Sequence, residues 1–327
     1  MRIGIIGAGS FGTALGYALG KQNHDIVIWD RKETIVDEIN LAHTNTRYVA
    51  SCILGDRVTA TLRIEEAVRG MDFVLLAVPS HVIREICRQI SGFIRRDTVV
   101  ISVAKGFDPE TKDRLSVTME EILSNPLVVL SGPSHAEEVS QSMPTTLVAS
   151  SKDMAAAGAV QDVFSSDTLR VYTNEDLIGV EIGGAVKNII ALAAGILDGI
   201  GYGDNAKAAL MTRGMAEIIR IGEAMGAKKE TFYGLTGMGD LIVTCTSKHS
   251  RNRRAGILIG QGSSTEEATE RVGMVVEGIK AAKVFHELKT KLGIEMPITE
   301  EIYSVLFEGK DLKEAIKALM TREMKSE

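Results

Sequence analysis

The sequence predicts an α/β protein of two domains: a doubly wound sheet domain over residues 1–179 and an all-α domain over 180–327. Three observations carry this prediction. Short apolar runs alternate with helical patterns through the first half, which implies a parallel sheet covered by helices. From about Glu181 onward the periodicity is almost wholly helical, with no comparable strand. At 327 residues the chain is also longer than a single hydrophobic core usually supports.

The elements follow in order. Arg2 to Ile6 reads as a buried strand, and the turn Gly7-Ala8-Gly9-Ser10-Phe11-Gly12 leads into a helical pattern from Thr13 to Leu19. Three glycines at this spacing also occur in plain turns. With a strand before and a helix after, Gly7 permits the tight backbone, Gly9 lets the main chain approach a pyrophosphate, and Gly12 lets helix and strand pack closely. The helix start then offers N–H groups to the diphosphate. A second strand, Asp25 to Trp29, delivers Asp30 near the spacing at which a carboxylate meets an adenosine ribose. These features make the domain Rossmann-type and open the chain with a dinucleotide site.

Further strands are expected at Phe73 to Val78, Val99 to Val103 and Leu127 to Ser131, with Thr145 to Ala149 and Leu169 to Tyr172 extending the sheet. The domain boundary falls near Ile178 to Val180. In the second half, Ser264-Thr265-Glu266-Glu267 has capping-box spacing, and Pro297-Ile298-Thr299-Glu300-Glu301 opens another acidic first turn. No repeat or long Gly/Ser linker separates the halves, so the active site is expected in a cleft between two directly joined domains.

Composition narrows the function classes. Hydrophobic residues at 45% and charged residues at 24% suit an ordinary globular protein. A net charge of -6 gives no general attraction to nucleic acid or anionic membranes. Cys52, Cys87 and Cys245 lack C-x-x-C spacing and suit a reducing cytosol, so they read as small buried hydrophobes and no metal site is expected. The chain starts on a strand with no basic or long apolar region ahead of it, and the most apolar helix, Ile189 to Leu197, is too short to span a bilayer and stops at Asp198. A cytoplasmic protein without membrane insertion is expected.

Two constellations remain. On the helix Glu181 to Leu197, Ile182, Val186, Ile189, Ala193 and Ile196 form a buried stripe, while Gly184, Lys187, Asn188, Ala191 and Gly195 form a small, polar one. Interior glycines cost about 1 kcal/mol each relative to alanine, so that face needs close approach of something flat or of another backbone. Two readings stay open: a helix contact with Lys187 snorkelling to solvent, or a catalytic amine facing a docked ligand. The second constellation is Gly237-Met238-Gly239-Asp240 with Ser250-Arg251-Asn252-Arg253-Arg254. Ser250 is a good N-cap, which puts Arg251 and Asn252 in a first turn where cations oppose the helix dipole. A bound anion resolves that conflict, and a solvated basic turn is the plainer alternative.

At these residues the chain closely resembles the bacterial-type NAD(P)-dependent glycerol-3-phosphate dehydrogenases, through nearly its whole length. The matching segments include Gly7 to Ala14, Ala104-Lys105-Gly106, Leu130 to Glu138, Gly179-Val180-Glu181 with Lys187-Asn188, Asn205 to Leu210, Gly237 to Leu241, Ser250 to Arg254 and Val275 to Gly278. The resemblance implies reversible reduction of dihydroxyacetone phosphate to sn-glycerol 3-phosphate, supplying phospholipid synthesis. It implies that Lys187 is the catalytic proton carrier, its proton loosened by desolvation and a second cation such as Lys105. Lys105, Gly132, Ser134, Asp240, Ser250, Arg251 and Asn252 would bind substrate. Ser10, Phe11, Ala136, Arg251, Val275 and Glu277 would contact the cofactor, with Lys105 near the nicotinamide. The family more often has Trp where this chain has Phe11, a change that keeps an aromatic surface.

Cofactor choice is divided. Asp30 favours a ribose with both hydroxyls, whereas Arg31 and Lys32 suit a 2′-phosphate, so both NAD and NADP are expected to serve. A hydroxy-acid or ketopantoate dehydrogenase would need the same turn and lysine but no phosphate clamp, and a nucleotide sensor would need no titrating lysine. The expected partners are a small phosphorylated substrate and, from the family, a second copy in a homodimer, with no nucleic acid.

Overall fold

The computed structural model describes every residue except Ser51, Lys325 and Glu327. The chain divides into two compact units, Met1–Glu181 and Ile182–Glu327.

The first unit is built on one eight-stranded sheet. Its strands are β1 (Arg2–Ile6), β2 (Asp25–Trp29), β3 (Val58–Thr61), β4 (Phe73–Leu76), β5 (Val99–Ser102), β6 (Leu127–Ser131), β7 (Thr145–Ser150) and β8 (Leu169–Asn174). They lie in the order β3-β2-β1-β4-β5-β6-β7-β8. The first six are parallel, the doubly wound arrangement; β7 runs antiparallel to β6, and β8 is parallel to β7. The sequence reading finds seven of these strands and misses β3. Val58-Thr59-Ala60-Thr61 is a four-residue edge strand with two threonines, too short and too polar to stand out as an apolar run.

The central strands are apolar at nearly every position because both faces are covered. Along β4, Phe73 and Leu75 join one core cluster with Ile3, Ile5 and Ile28, while Val74 and Leu76 join another with Ile6, Ile83 and Leu115. The two-residue period of a strand sends alternate side chains to opposite faces. Each fully buried isoleucine or leucine contributes about 1.5–3 kcal/mol. The helices flanking these strands are α1 (Ser10–Gly20), α2 (Glu33–Ala42), α3 (Ile83–Ile90), α4 (Leu115–Glu120), α5 (Ala136–Val139) and α6 (Met154–Phe164). Asp153 caps α6 by accepting from the N–H groups of Ala155 and Ala156.

The next helix, α7 (Leu177–Ile200), carries the chain from the first unit into the second. It is longer than the pattern suggested. Asp198 does not stop it, and at 24 residues with mean hydropathy 1.6 it is long and apolar enough to cross a membrane, yet 94% of its most apolar window is buried inside the protein. That burial marks it as a core helix.

The second unit continues with α8 (Asp204–Ala224), α9 (Lys229–Phe232), α10 (Asp240–Thr246), α11 (Arg251–Gly260), α12 (Thr265–Val272), α13 (Glu277–Leu292), α14 (Pro297–Phe307) and α15 (Leu312–Met320). Ser264 and Glu267 form a reciprocal capping box at the start of α12, and Pro297 opens α14. The glycines of α7 find their close partner in another helix. A Cβ on Gly195 would collide with the Arg253 carbonyl, and one on Gly199 with that of Ile257; reciprocally, Gly256 and Gly260 of α11 abut the carbonyls of Leu192 and Ile196. Four glycines therefore let α7 and α11 approach backbone to backbone, fixing where the first turn of α11 lies against α7.

Candidate active site

In the first unit, the expected dinucleotide residues gather at the carboxyl ends of the parallel strands. Gly7 leaves β1 with φ +111, a conformation open to glycine, and a Cβ there would sit 2.7 Å from the Ala77 carbonyl. On Gly12 a Cβ would strike the Gly7 carbonyl. Gly9 is different, since a Cβ built on it meets nothing within 4 Å. Packing inside the protein therefore requires two of the three glycines, and the third leaves open backbone where a diphosphate would approach. Gly9 is also the N-cap of α1 and supplies no side-chain hydrogen bond, in contrast to the capped α6, α11 and α12. Ser10 and Phe11, in the first turn, are half-buried. The residues present fit a dinucleotide diphosphate.

Asp30 stands at the end of β2. Its Oδ2 accepts from the Ala8 N–H at 3.2 Å and its Oδ1 from the Lys32 N–H at 3.0 Å. The carboxylate is thereby fixed against the glycine turn with lone pairs to spare for ribose hydroxyls. Arg31, next in the chain, is exposed.

Three further expected residues converge after β5 and β6. Lys105 Nζ donates to the Gly132 carbonyl at 3.2 Å, and Ser134 Oγ donates to the same oxygen at 3.1 Å. Gly132 takes φ +138, and a Cβ on it would lie 3.0 Å from the Thr146 carbonyl. Ala136 opens α5 and is buried.

The second unit holds the lysine. Lys187 does not snorkel to solvent: its side chain is 5% exposed, its ammonium pairs with the Asp240 carboxylate, and it lies 2.7 Å from Thr244 Oγ1. Thr244 in turn donates to the Asp240 carbonyl at 2.6 Å. Asp240 and Thr244 lie four residues apart on α10, one turn of one face, which is why both reach the same amine. Asp240 thus gives Lys187 an anionic partner within the second unit. The expected second cation, Lys105, is engaged with Gly132 in the first unit. Asp240 and Thr244 together hold the Lys187 amine in one place.

Asn188, one residue on, ties this region to α11 and α13. Its Oδ1 accepts from Asn252 Nδ2 at 2.8 Å, and Asn252 Oδ1 accepts from the Gly278 N–H at 2.8 Å. Ser250 Oγ accepts from the Arg253 N–H, capping α11 as expected. Ser250 Oγ and the Asn252 amide thus both take part in building the turn, and the exposed Arg251 begins the helix between them. Glu277 starts α13 next to the Asn252-bound Gly278, with Val275 half-buried just before it. Arg253 and Lys207 both pair with Asp198, at 2.7 and 2.6 Å.

Sequence reasoning missed Thr244 and left Asn188 out of the site. The i, i+4 relation of Thr244 to Asp240 and the adjacency of Asn188 to Lys187 were the available signals. All three cysteines are buried, as expected of small hydrophobes, and burial pushes their thiols up, to about 11 for Cys52 and about 12 for Cys87 and Cys245.

A glycine turn on a doubly wound sheet, a carboxylate at the end of β2 and a buried lysine ion pair in a helical unit define a two-unit Rossmann dehydrogenase. The models of the N-terminal and C-terminal parts of NAD-dependent glycerol-3-phosphate dehydrogenase match residues 2–157 and 176–317, and the chain belongs to that family. It is 61% identical to a glycerol-3-phosphate dehydrogenase [NAD(P)+] of Clostridium acetobutylicum, over 98% of this chain and 97% of the relative, and 59% identical to that of Clostridium tetani, over 99% and 93%. Among solved structures it is similar to the glycerol-3-phosphate dehydrogenase of Coxiella burnetii, with TM-score 0.95, 35% identity, and 98% of this chain and 99% of that one covered. A ketopantoate reductase of Ralstonia eutropha, at TM-score 0.63 and 18% identity with 94% and 97% covered, shares the fold alone.

Proposed function

We propose that this protein catalyses the reversible reduction of dihydroxyacetone phosphate to sn-glycerol 3-phosphate, with NADH or NADPH as the reductant. When bound, the reduced nicotinamide supplies the hydride. The chain's own residues do the rest. The uncapped first turn of α1 and the open backbone at Gly9 take the diphosphate, and Asp30 takes the ribose, with Arg31 and Lys32 beside it for a 2′-phosphate.

The observation that carries the reading is the buried Lys187 ammonium held by Asp240 and Thr244. As hydride reaches the central carbon of the substrate, its carbonyl oxygen becomes an alkoxide. Lys187 stabilises that charge, gives the oxygen a proton, and is reprotonated from solvent; in the reverse direction the amine accepts the proton. Asp240 fixes the amine in place. Arg251, at the first position of α11, meets the substrate phosphate with its guanidinium while the helix N–H groups add to the same site. Remote binding of the phosphate fixes the reacting carbon. In the first unit, Lys105 and Ser134, gathered on Gly132, would also contact substrate.

The same reading makes the protein a cytoplasmic enzyme, working as a homodimer, whose product feeds phospholipid synthesis; similarity along the whole chain to enzymes named for this activity supports the product, and the burial of α7 supports the absence of membrane insertion. The test is to follow NADH or NADPH absorbance while offering dihydroxyacetone phosphate and then unphosphorylated dihydroxyacetone. Rapid oxidation with the first and little with the second is expected. Equal rates, or none, would defeat the proposal.

A further inference from the structure

In the loop between α2 and β3, Asn45 is a side chain that the mechanism does not use. Asn45 is completely buried, and its amide reaches across to the glycine turn: Nδ2 donates to the Ala8 carbonyl at 2.8 Å and to Thr13 Oγ1 at 2.8 Å. Thr13 is equally buried and donates its hydroxyl to the same Ala8 carbonyl at 3.2 Å. On the other side of this residue, the Ala8 N–H is held by Asp30 Oδ2. Both backbone polar groups of Ala8 are therefore gripped by side chains. The loop is itself anchored, since the Asn45 carbonyl accepts from the N–H groups of Tyr48 and Val49 at 3.1 and 2.8 Å.

Peptide planarity turns this grip into a direction. The Ala8 carbonyl shares a trans peptide with the Gly9 N–H, so pointing the oxygen inward at Asn45 and Thr13 points that N–H the opposite way. It therefore points away from Asn45 and Thr13, on the residue where a Cβ would meet nothing within 4 Å. The arrangement also carries a cost, because Asn45 Oδ1 is buried with no hydrogen-bond partner among the described residues. Leaving a buried acceptor unmet is unfavourable, so an asparagine used only to fill this space would be a poor choice; its amide donors are what the site needs.

We infer that Asn45, acting with Thr13, is a positioning residue for dinucleotide binding: it sets the Ala8–Gly9 peptide so that the glycine turn presents its N–H to the diphosphate. The inference rests on the reading of this turn as the dinucleotide site. Because the diphosphate is common to both cofactors, the effect must fall equally on NADH and NADPH, unlike any effect of Asp30 on the ribose.

The experiment titrates NADH and NADPH onto Asn45→Ala, Thr13→Val and Thr13→Ser and records Tm beside Kd. Asn45→Ala should weaken both dinucleotides by the same factor, about ten-fold, and Thr13→Val by about three-fold, the scale of a lost or loosened hydrogen bond. Thr13→Ser keeps the hydroxyl and should bind like the native protein, while the KM for dihydroxyacetone phosphate at saturating dinucleotide stays in place for all three. If Asn45→Ala does not fold, the valine and serine pair at position 13 decides. Unchanged Kd values with a lowered Tm would overturn the inference and leave Asn45 a packing residue. Selective loss of one dinucleotide would overturn it too, by moving the effect to the ribose. Native protein that binds neither dinucleotide would refute the underlying reading and the inference with it.

Discussion

Replacing Lys187 with alanine separates two consequences that the structure ties to one amine. The first is chemical: without the proton donor, turnover of dihydroxyacetone phosphate should fall by at least ~10²-fold. The second is structural. Asp240 is 2% exposed at its side chain, and removing the ammonium takes the Lys187 charge away from a buried carboxylate. Losing one partner of a buried pair costs about 3–5 kcal/mol. At roughly 2–4 °C per kcal/mol for a domain of this size, Tm should drop by about 10 °C. The double variant Lys187→Met with Asp240→Asn removes both charges, so it should recover most of the lost Tm and none of the turnover. Dinucleotide affinity should stay close to native in both, because neither Lys187 nor Asp240 is among the residues expected to contact the dinucleotide. Melting followed by circular dichroism, with steady-state and single-turnover kinetics on the same preparations, makes the comparison. A folded Lys187→Ala variant that retains turnover would refute the role of Lys187, and an unchanged Tm would refute the claim that Asp240 depends on it.

The remaining predictions concern binding and pH. Arg251→Ala should raise the KM for dihydroxyacetone phosphate by roughly ten- to a hundred-fold, with a smaller rise for Arg251→Lys and little effect on unphosphorylated dihydroxyacetone; equal losses on both substrates would move the clamp elsewhere. Asp30→Ala should shift the kcat/KM ratio toward NADPH while weakening both cofactors somewhat, since the Ala8 N–H also loses its acceptor; an unchanged ratio would show that Asp30 points away from the ribose. Glu217, on α8, is 2% exposed and accepts from the Thr299 N–H and hydroxyl at the start of α14, and burial pushes its carboxyl up to about 7 from an ordinary 4.5. The folded protein thus holds a proton that the unfolded chain releases earlier, and stability should fall as pH rises from about 4.5 to 7, by on the order of 3 kcal/mol. Asp108 and Glu300, whose carboxyls lie below their ordinary values, act in the opposite sense at lower pH. Denaturant melts across this range should show a flatter profile for Glu217→Gln than for the native protein; parallel profiles would contradict the assignment.

Most of the sheet was legible because both of its faces are buried, so its strands read as unbroken apolar runs, as β6 does from Leu127 to Leu130. The edge strand β3 was not, since an edge needs no such run. Local chemistry also announced the caps: Ser250 and Ser264 begin α11 and α12 as their sequences predict. The glycine face of α7 was legible as a demand for close contact but not as to its partner. That partner, α11, is about sixty residues away, and its own glycines, Gly256 and Gly260, complete the contact only when the chain is folded. The lysine pair had the same limit. Lys187 was visible as an amine among small residues, yet its counter-charge arrives from another helix, and periodicity within one helix says nothing about what lies opposite. Asn45 was the most hidden. It sits in an irregular loop, and its importance comes wholly from reaching back to Ala8 and Thr13.

In the proposed reaction, hydride passes to the middle carbon of dihydroxyacetone phosphate while Lys187 delivers the proton to its oxygen. The most direct measurement supplies reduced dinucleotide deuterated at nicotinamide C4 on the transferable face, lets the native protein act on dihydroxyacetone phosphate in ordinary water, and locates the label in the product by NMR. One deuterium is expected on C2 of sn-glycerol 3-phosphate, none at C1 or C3, and no labelled product is expected from Lys187→Ala on the same timescale. Dinucleotide oxidation that leaves C2 unlabelled, or equal labelling by the alanine variant, would contradict this reaction.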